Sequence, residues 1–524
     1  MSSLAPVLAL AAPLCLAGAA VLAGTEPGRR PALALKAGTL GTVAALAAAV
    51  LAATFLLLGG FDLGPIVPFT VPVHLDALSA VMLVLVTFLG TIIVGFSRNY
   101  LDGDERQGLF IAWLCLTLAA VALLVIAGNL FILVGAWIAT SLALHRLLTF
   151  YRGRRLAMAA AGKKFITARA GDVCLITAAI LLYLAFGSAD MGVILDTAER
   201  IGAGEAGGLV TWAGFLIAFA AILKSAQFPT HGWLLEVMET PTPVSALLHA
   251  GVVNAGGFLV LRFADVMVLA AGTLPLLAIV GAATAVIGSA VMLRQSSVKV
   301  ALAWSTIAQM GFMLLQCGLG AFSLAALHIV AHSLYKAHAF LASGSAVDLA
   351  RSEHPVRTGA SPSVRIFLPV LVAALAAGYG VAAVAGLDLR ADAGELALGA
   401  ILVMALSILF SRQLTVGSSA ALFARLTLLA GAVSAAYLVL HTVAFWVMGS
   451  ALPPAPEQGP VALLIQALIV FSFMTLTIAQ VCGYLGTGSR SPRGFAVHLA
   501  NGFYANAWFD RIVGSYRLTG SGQR

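Results

Sequence analysis

The segment LHIVAHSLYKAHAF carries His328, His332 and Lys336 at positions i, i+4 and i+8. On a helix this spacing stacks the three side chains along one stripe about 12 Å long. Three titratable groups in line, in otherwise apolar surroundings, suit a proton relay. Each imidazole or amine would exchange a proton with water or with its neighbour. Zinc is the rival reading, with His328 and His332 as two ligands. It needs a third, and no carboxylate lies on that stripe. His338 falls on another face.

Lys224 ends the apolar run TWAGFLIAFAAIL and precedes SAQFP. Pro229, Pro241 and Pro243 then interrupt any helix, because proline lacks the backbone donor. A lysine beside a proline-broken helix is the arrangement transporters use near the bilayer midplane. The alternative is a helix-end lysine reaching to the headgroups. His249, in SALLHAG, is either a station on an ion path or a hydrogen-bonded packing residue. Gly251, Gly256 and Gly257, with Asn254 among them, allow close helix approach there. His145 and Arg146 close the segment AWIATSLALHRLLTFY and read as interfacial anchors. Arg412, in SILFSRQL, is either an anchor or a last cationic station. Arg169 and Asp172 stand three apart, the spacing of an intrahelical ion pair. Asp76 opens an apolar run, as a cap or interface residue.

The elements that position these residues are membrane helices. Of 524 residues, 61% are hydrophobic and 10% charged, against about 25% charged in soluble domains. Apolar runs long enough to cross a bilayer recur throughout, and helices are the spanning element this pattern permits. About fifteen spans are expected, centred near residues 14, 48, 86, 118, 138, 176, 218, 252, 280, 309, 334, 374, 402, 435 and 472. The first is read as a retained helix rather than a signal peptide. Basic residues follow the odd-numbered spans, the richest stretch being YRGRRLAMAAAGKKFITAR after the fifth. Asp190, Asp196, Glu199, Glu205 and Glu457 follow even-numbered ones. The positive-inside rule then places the N-terminus outside and the C-terminus in the cytoplasm.

The net charge of +8 is spread among these loops and does not indicate nucleic acid. The five cysteines lie in apolar segments without metal spacing. Nothing reads as a soluble catalytic domain or a nucleotide loop. ALPPAPEQGP is a loop, and the tail FYANAWFDRIV is a short surface helix or partner-contact segment.

KSAQFPTHGWLLEVMETPTPVSALLHA, HLDALSAVMLVLVTFLGTIIVGFSRNYL, ARAGDV, SSVKVALAWSTIAQMGFM and HIVAHSLYKAHAFLASGS together resemble the antiporter-like membrane subunits of respiratory complex I, subunit L in particular, and of Mrp cation/proton antiporters. The resemblance is specific over roughly residues 70–350. It implies an all-α, polytopic, antiporter-like fold with about fourteen core helices, including two inverted five-helix repeats, each with a broken helix. The expected division is N-terminal helices over 1–107, a first repeat over 108–262 broken near 224–243, a second repeat over 263–415, further helices over 416–488 and an amphiphilic cytoplasmic tail over 489–524. It also implies that Lys224 is the central translocation lysine and that Lys299, His328, His332 and Lys336 carry protons onward.

The chain departs from the complex I pattern. Ile138 stands where the family's lysine-pairing glutamate is expected, Arg412 is the nearest basic residue to the expected distal lysine, and no long lateral helix is expected. SLALHRLLTFY, LLHAGVVNAGGF and NGFYANAWFDR are more similar to the membrane subunits of bacterial two-subunit inorganic-carbon accumulation systems. In those systems a soluble cytoplasmic partner resembles a zinc β-carbonic anhydrase. The resemblance implies a proton- or sodium-conducting subunit that energises the partner, holds no zinc or other cofactor, and catalyses nothing itself. The other expectations are a pumping subunit of a quinone-linked redox complex or an Mrp-type antiporter module.

Overall fold

The computed structural model describes residues 4–59, 71–201 apart from 152 and 154, 207–237, 240–344, parts of 365–376, 393–414, 420–485 and 492–513. Apolar composition without strand-like alternation yields helices, and no strand occurs among the described residues. The N-terminal half comprises α1 (Leu4–Thr25), α2 (Ala32–Leu57), α3 (Ala77–Tyr100), α4 (Gln107–Val125), α5 (Leu130–Leu148), α6 (Arg155–Phe186), α7 (Met191–Arg200) and α8 (Gly208–Lys224). The centre comprises α9 (Gly232–Glu236), α10 (Thr242–Ala250), a 3-10 turn (Val252–Asn254), α11 (Ala255–Arg262), α12 (Ala264–Leu269), α13 (Thr273–Met292), α14 (Val298–Gly318) and α15 (Phe322–Leu341). Then come α16 (Ala393–Leu414), α17 (Ala420–Met448), α18 (Pro460–Val481), α19 (Arg493–Ala500) and α20 (Ala505–Val513).

Ten of the described helical segments are long and apolar enough to cross a membrane. Each expected span centre except those near 252 and 374 falls inside one of the α-helices above, and that near 252 falls in the 3-10 turn between α10 and α11. The span near 374, and the loop residues Arg351, Arg357, Glu205 and Arg490, fall wholly or largely outside the described residues. One sequence reading changes. The stretch containing Lys163 and Lys164, expected as a basic loop, belongs to the 32-residue helix α6. Both lysines are buried there, at 0% and 4% exposure.

Two local features shape the centre. α8 stops at Lys224, and Ala226 turns the chain in the left-handed region at φ +49°. That conformation is costly for a residue with a Cβ, and the turn delivers the chain to exposed Pro229 and the short α9. Pro241 caps α10 and Pro243 sits in its first turn, where a missing N–H costs nothing. The span centred on 252 is itself interrupted at Gly251–Asn254, a break the sequence reading treated only as a close-packing site. Gly256 is required at that joint, because a Cβ there would collide with Ser225 Oγ and the Ala221 carbonyl. Ser225 Oγ in turn donates to Val253 O at 2.9 Å, tying the end of α8 to the interruption.

One end of the interrupted span is locked. Arg262, buried at the end of α11, donates to both carboxylate oxygens of Asp76 at 2.7 and 3.1 Å and to Ser79 Oγ. Asp76 also caps α3 by accepting from Ser79 N at 2.8 Å, so it is both cap and ion-pair partner.

Candidate functional site

The interrupted elements carry a set of buried basic side chains in two groups. The first surrounds the end of α8. Lys224 Nζ lies 4.2 Å from the centre of the Trp137 ring on α5 and has no hydrogen-bond partner among the described residues. A cation over an indole face is attracted by the ring quadrupole. Ile138, next to Trp137, supplies no carboxylate. The acid on this side is instead Asp172 of α6, buried, ion-paired to Arg169 at 2.7 Å and electrostatically coupled to Lys224. Lys164, two turns back on α6, donates to Ser141 O and Oγ at 3.0 and 2.9 Å.

The second group lies on α10, α14 and α15. The i, i+4, i+8 stripe of α15 faces α14, which presents one polar side chain to each member. His328 Nδ1 is 2.8 Å from Gln316 Oε1, and His332 Nδ1 is 2.6 Å from Gln309 Oε1. Lys336 Nζ donates to Ser305 Oγ at 2.8 Å and Leu302 O at 3.2 Å. His332 Nε2 donates to the His249 carbonyl at 3.1 Å, which joins α15 to α10. The His249 ring stacks on Phe340, and its Nδ1 meets Thr306 Oγ1 at 3.1 Å while its Nε2 is buried and has no partner among the described residues. Asn254, at the interruption, donates to Ser333 Oγ at 2.7 Å. His328 and His332 stand with ring centres 6.0 Å apart.

His332 therefore faces an acceptor on each ring nitrogen. A protonated ring donates to both. A neutral ring keeps both contacts only if the Gln309 amide turns over to donate. The pairing lets His332 change protonation with a side-chain rotation as the compensating motion. His328 and His332 are directed to different glutamines, and no group of three His, Cys, Asp or Glu side chains suited to a metal occurs among the described residues.

Other expected residues lie apart from these groups. Lys299 is exposed in the first turn of α14, three residues before Leu302. Arg412 belongs to α16, and its side chain lies outside the described ones. His145 is half-buried at the end of α5, next to exposed Arg146. Pro229 and Pro241 occupy the interruption between α8 and α10, and Pro243 the first turn of α10.

A third cluster escaped the sequence reading. Buried Lys163 pairs with Glu236 at 2.5 Å and with Asp510 of α20, and donates to Asn506 Oδ1 at 3.0 Å. Asn506 also donates to Glu236 Oε1 at 2.8 Å. Nearby, Gly502 lies directly against the Trp304 ring, which packs on His231. The C-terminal segment thus touches the interruption after Lys224 at two points. The only signal in the sequence was the amphipathic pattern of the tail, which names no partner.

Comparison with known proteins assigns the class. Residues 127–387 match the family described as NADH:quinone oxidoreductase/Mrp antiporter, transmembrane, and residues 64–111 match the complex I chain 5 N-terminus. Among solved structures, the chain is similar to the Mrp complex from Dietzia sp. DQ12-45-1b, with a TM-score of 0.54 and 23% identity over 97% of this chain and 57% of that one. It is also similar to a chain of the membrane-bound sulfane sulfur reductase, an archaeal respiratory membrane complex, with a TM-score of 0.57 and 18% identity over 98% of this chain and 100% of that one. The fold is that of the multi-pass, antiporter-like membrane subunits.

Within that class the likeness narrows. The chain is 40% identical over 447 residues to the probable inorganic carbon transporter subunit DabB2 of Halothiobacillus neapolitanus, covering 84% of this chain and 80% of that protein. It is 44% identical over 312 residues to the corresponding DabB of Hydrogenovibrio crunogenus, covering 58% and 59%. NADH-quinone oxidoreductase subunit L of Escherichia coli is 35% identical over 56% of this chain and 47% of its own length. The chain belongs to the DabB family.

Proposed function

We propose that this protein conducts protons, or sodium ions, through its buried basic side chains, and that the flow energises inorganic-carbon accumulation by a soluble DabA-like partner. On this reading the partner holds the zinc and hydrates CO2 to bicarbonate, while this chain holds no cofactor. The observation that carries the reading is the hydrogen-bonded set His249, His332 and Gln309, with Lys336 one turn further along the same stripe on Ser305, built beside an interrupted span inside a lipid-facing bundle. Ionisable groups at such depth are expensive and mark ion routes. The buried polar atoms Lys224 Nζ, His249 Nε2, Asn254 Oδ1 and Gln227 Oε1 have no partner among the described residues. Groups of this kind are ordinarily met by internal water.

The path runs from the Asp172–Lys224 region to His249, along His332 and Lys336, and out past Lys299. Lys224 carries its proton in the absence of an adjoining glutamate, with Asp172 as the balancing acid and the Trp137 face as cation support. His332 passes a proton by exchanging donor and acceptor roles with Gln309. His328, Arg412 and the supporting pair Arg169–Asp172 extend the same hydrated system. The N-terminus lies outside the bacterial inner membrane. The C-terminal segment lies in the cytoplasm, where the partner docks.

The test uses a carbonic-anhydrase-deficient bacterium that does not grow in ordinary air. The chain is expressed with and without its genomic neighbour, and growth and labelled bicarbonate uptake are followed with and without an uncoupler. Growth that needs both proteins, with uncoupler-sensitive uptake, is the expected result. A verified, membrane-inserted pair that gives no rescue refutes the reading. Quinone-reductase or sodium-tolerance activity in its place would assign the chain to a redox complex or an antiporter.

A further inference from the structure

A groove between α4 and α5 takes no part in the path above. Its cavity has a volume of about 550 Å3. Its walls are apolar along Leu116 and Ala120 of α4 and Ala139 and Leu142 of α5. One end is different: Trp113, His145, Arg146 and Phe165 gather there. Because α4 and α5 run in opposite directions, the start of the first meets the end of the second. Trp113 to Ala120 and Ala139 to Arg146 are each a rise of seven residues, so the groove runs about 10 Å from its basic end into the bundle's apolar zone. Small residues at 120 and 139 leave it open.

The basic end carries uncompensated positive charge. Exposed Arg146 faces the Trp113 ring at 5.7 Å and forms no ion pair among the described residues. The His145 ring bonds the Ala161 backbone, and its Nδ1 is buried without a hydrogen-bond partner among the described residues. Lys164 stands behind them, buried and bonded to the neutral Ser141. The charges acting on His145 are Lys164, Arg146 and Arg169, all cationic, and of these only Arg169 has a carboxylate partner.

A basic end with an aromatic beside it, continued by an apolar slot, matches an anionic amphiphile. We propose that the groove holds an anionic phospholipid of the bilayer, its phosphate on Arg146 and His145 and one acyl chain along Leu116, Ala120, Ala139 and Leu142. Basic pockets between membrane helices recognise such headgroups by charge, while the adjoining helix faces accept the chain. A free oxyanion would use the basic end alone and leave the slot without a role.

Trp113 reports occupancy. The full-length protein is reconstituted in phosphatidylcholine nanodiscs, and phosphatidylglycerol with brominated acyl chains is titrated in. The Trp113 signal is isolated as the difference from Trp113→Phe. Saturable quenching is expected with the anionic lipid, and only proportional quenching with brominated phosphatidylcholine. Arg146→Ala is expected to raise half-saturation roughly fivefold or more. Arg146→Lys is expected to stay near wild type, which separates charge from misfolding. Ala139→Leu, which fills the slot and leaves the charge, is expected to weaken binding as well. Three results would each overturn the proposal: equal quenching by the two lipids, half-saturation unmoved by Arg146→Ala, or displacement by millimolar inorganic phosphate, which marks a free-oxyanion site.

Discussion

Replacing Lys163 with alanine is expected to release the C-terminal helix α20 from the helical bundle. Lys163 is fully buried, and its ion-pair partners Glu236 and Asp510 are 30% and 12% exposed. Without the ammonium group, Glu236 keeps only the Asn506 amide as a donor among the described residues, and the tie from α6 to Asp510 is lost. Removing one member of a buried ion pair costs about 3–5 kcal/mol. The partial exposure of Glu236 puts the cost near the lower end, about 3 kcal/mol. That lowers the docked-to-undocked ratio about 100-fold, at 1.4 kcal/mol per factor of ten. Hydrogen–deuterium exchange over residues 500–513 in nanodiscs measures it directly. Exchange there is expected to accelerate by that factor, while α13 and α14 keep their protection. The combination Lys163→Met, Glu236→Gln and Asp510→Asn removes all three charges and is expected to restore most of the protection, because no uncompensated carboxylate remains. Exchange within about threefold of wild type in Lys163→Ala would refute the claim that this cluster holds the tail.

Lys224→Ala is expected to reduce uncoupler-sensitive bicarbonate uptake to background at an unchanged membrane level, and normal uptake would remove Lys224 from the path. Gln309→Leu takes away the group opposite His332 Nδ1. Uptake is expected to fall about tenfold, the equivalent of one hydrogen bond of about 1.5 kcal/mol, and unaltered uptake would make the pairing structural. Arg262→Leu leaves the Asp76 carboxylate with only the Ser79 N–H and His74, 3.5 Å away, and is expected to cost about 3 kcal/mol, read as a fall of several degrees in the thermal midpoint in detergent. An unmoved midpoint would mean that the cap and His74 suffice for Asp76.

The sequence by itself determined what depends on short range. Apolar run length placed the spans, because a helix in lipid must satisfy its own backbone over a fixed thickness. The i, i+4, i+8 spacing placed His328, His332 and Lys336 on one face, since helical periodicity is local. Pro229, Pro241 and Pro243 marked the interruption after Lys224, because proline acts on its own backbone. The Arg169–Asp172 pair was legible for the same reason.

Tertiary structure decided the partners. Gln309 and Gln316 carry no local signal, and they matter because α14 packs along the histidine stripe of α15. Arg262 and Asp76 are 186 residues apart, and Lys163 and Asn506 are 343 apart. No periodicity relates residues so distant. Lys163 and Lys164 looked like ordinary loop charge, and the length of α6 carried them into the interior, where Glu236, Asp510 and Ser141 receive them. Lys299 went the other way: a family motif named it, and the packing left it exposed at the start of α14. A charge in a membrane protein is set by whatever lies within a few ångströms of it, and that neighbourhood is fixed by helices brought together in space.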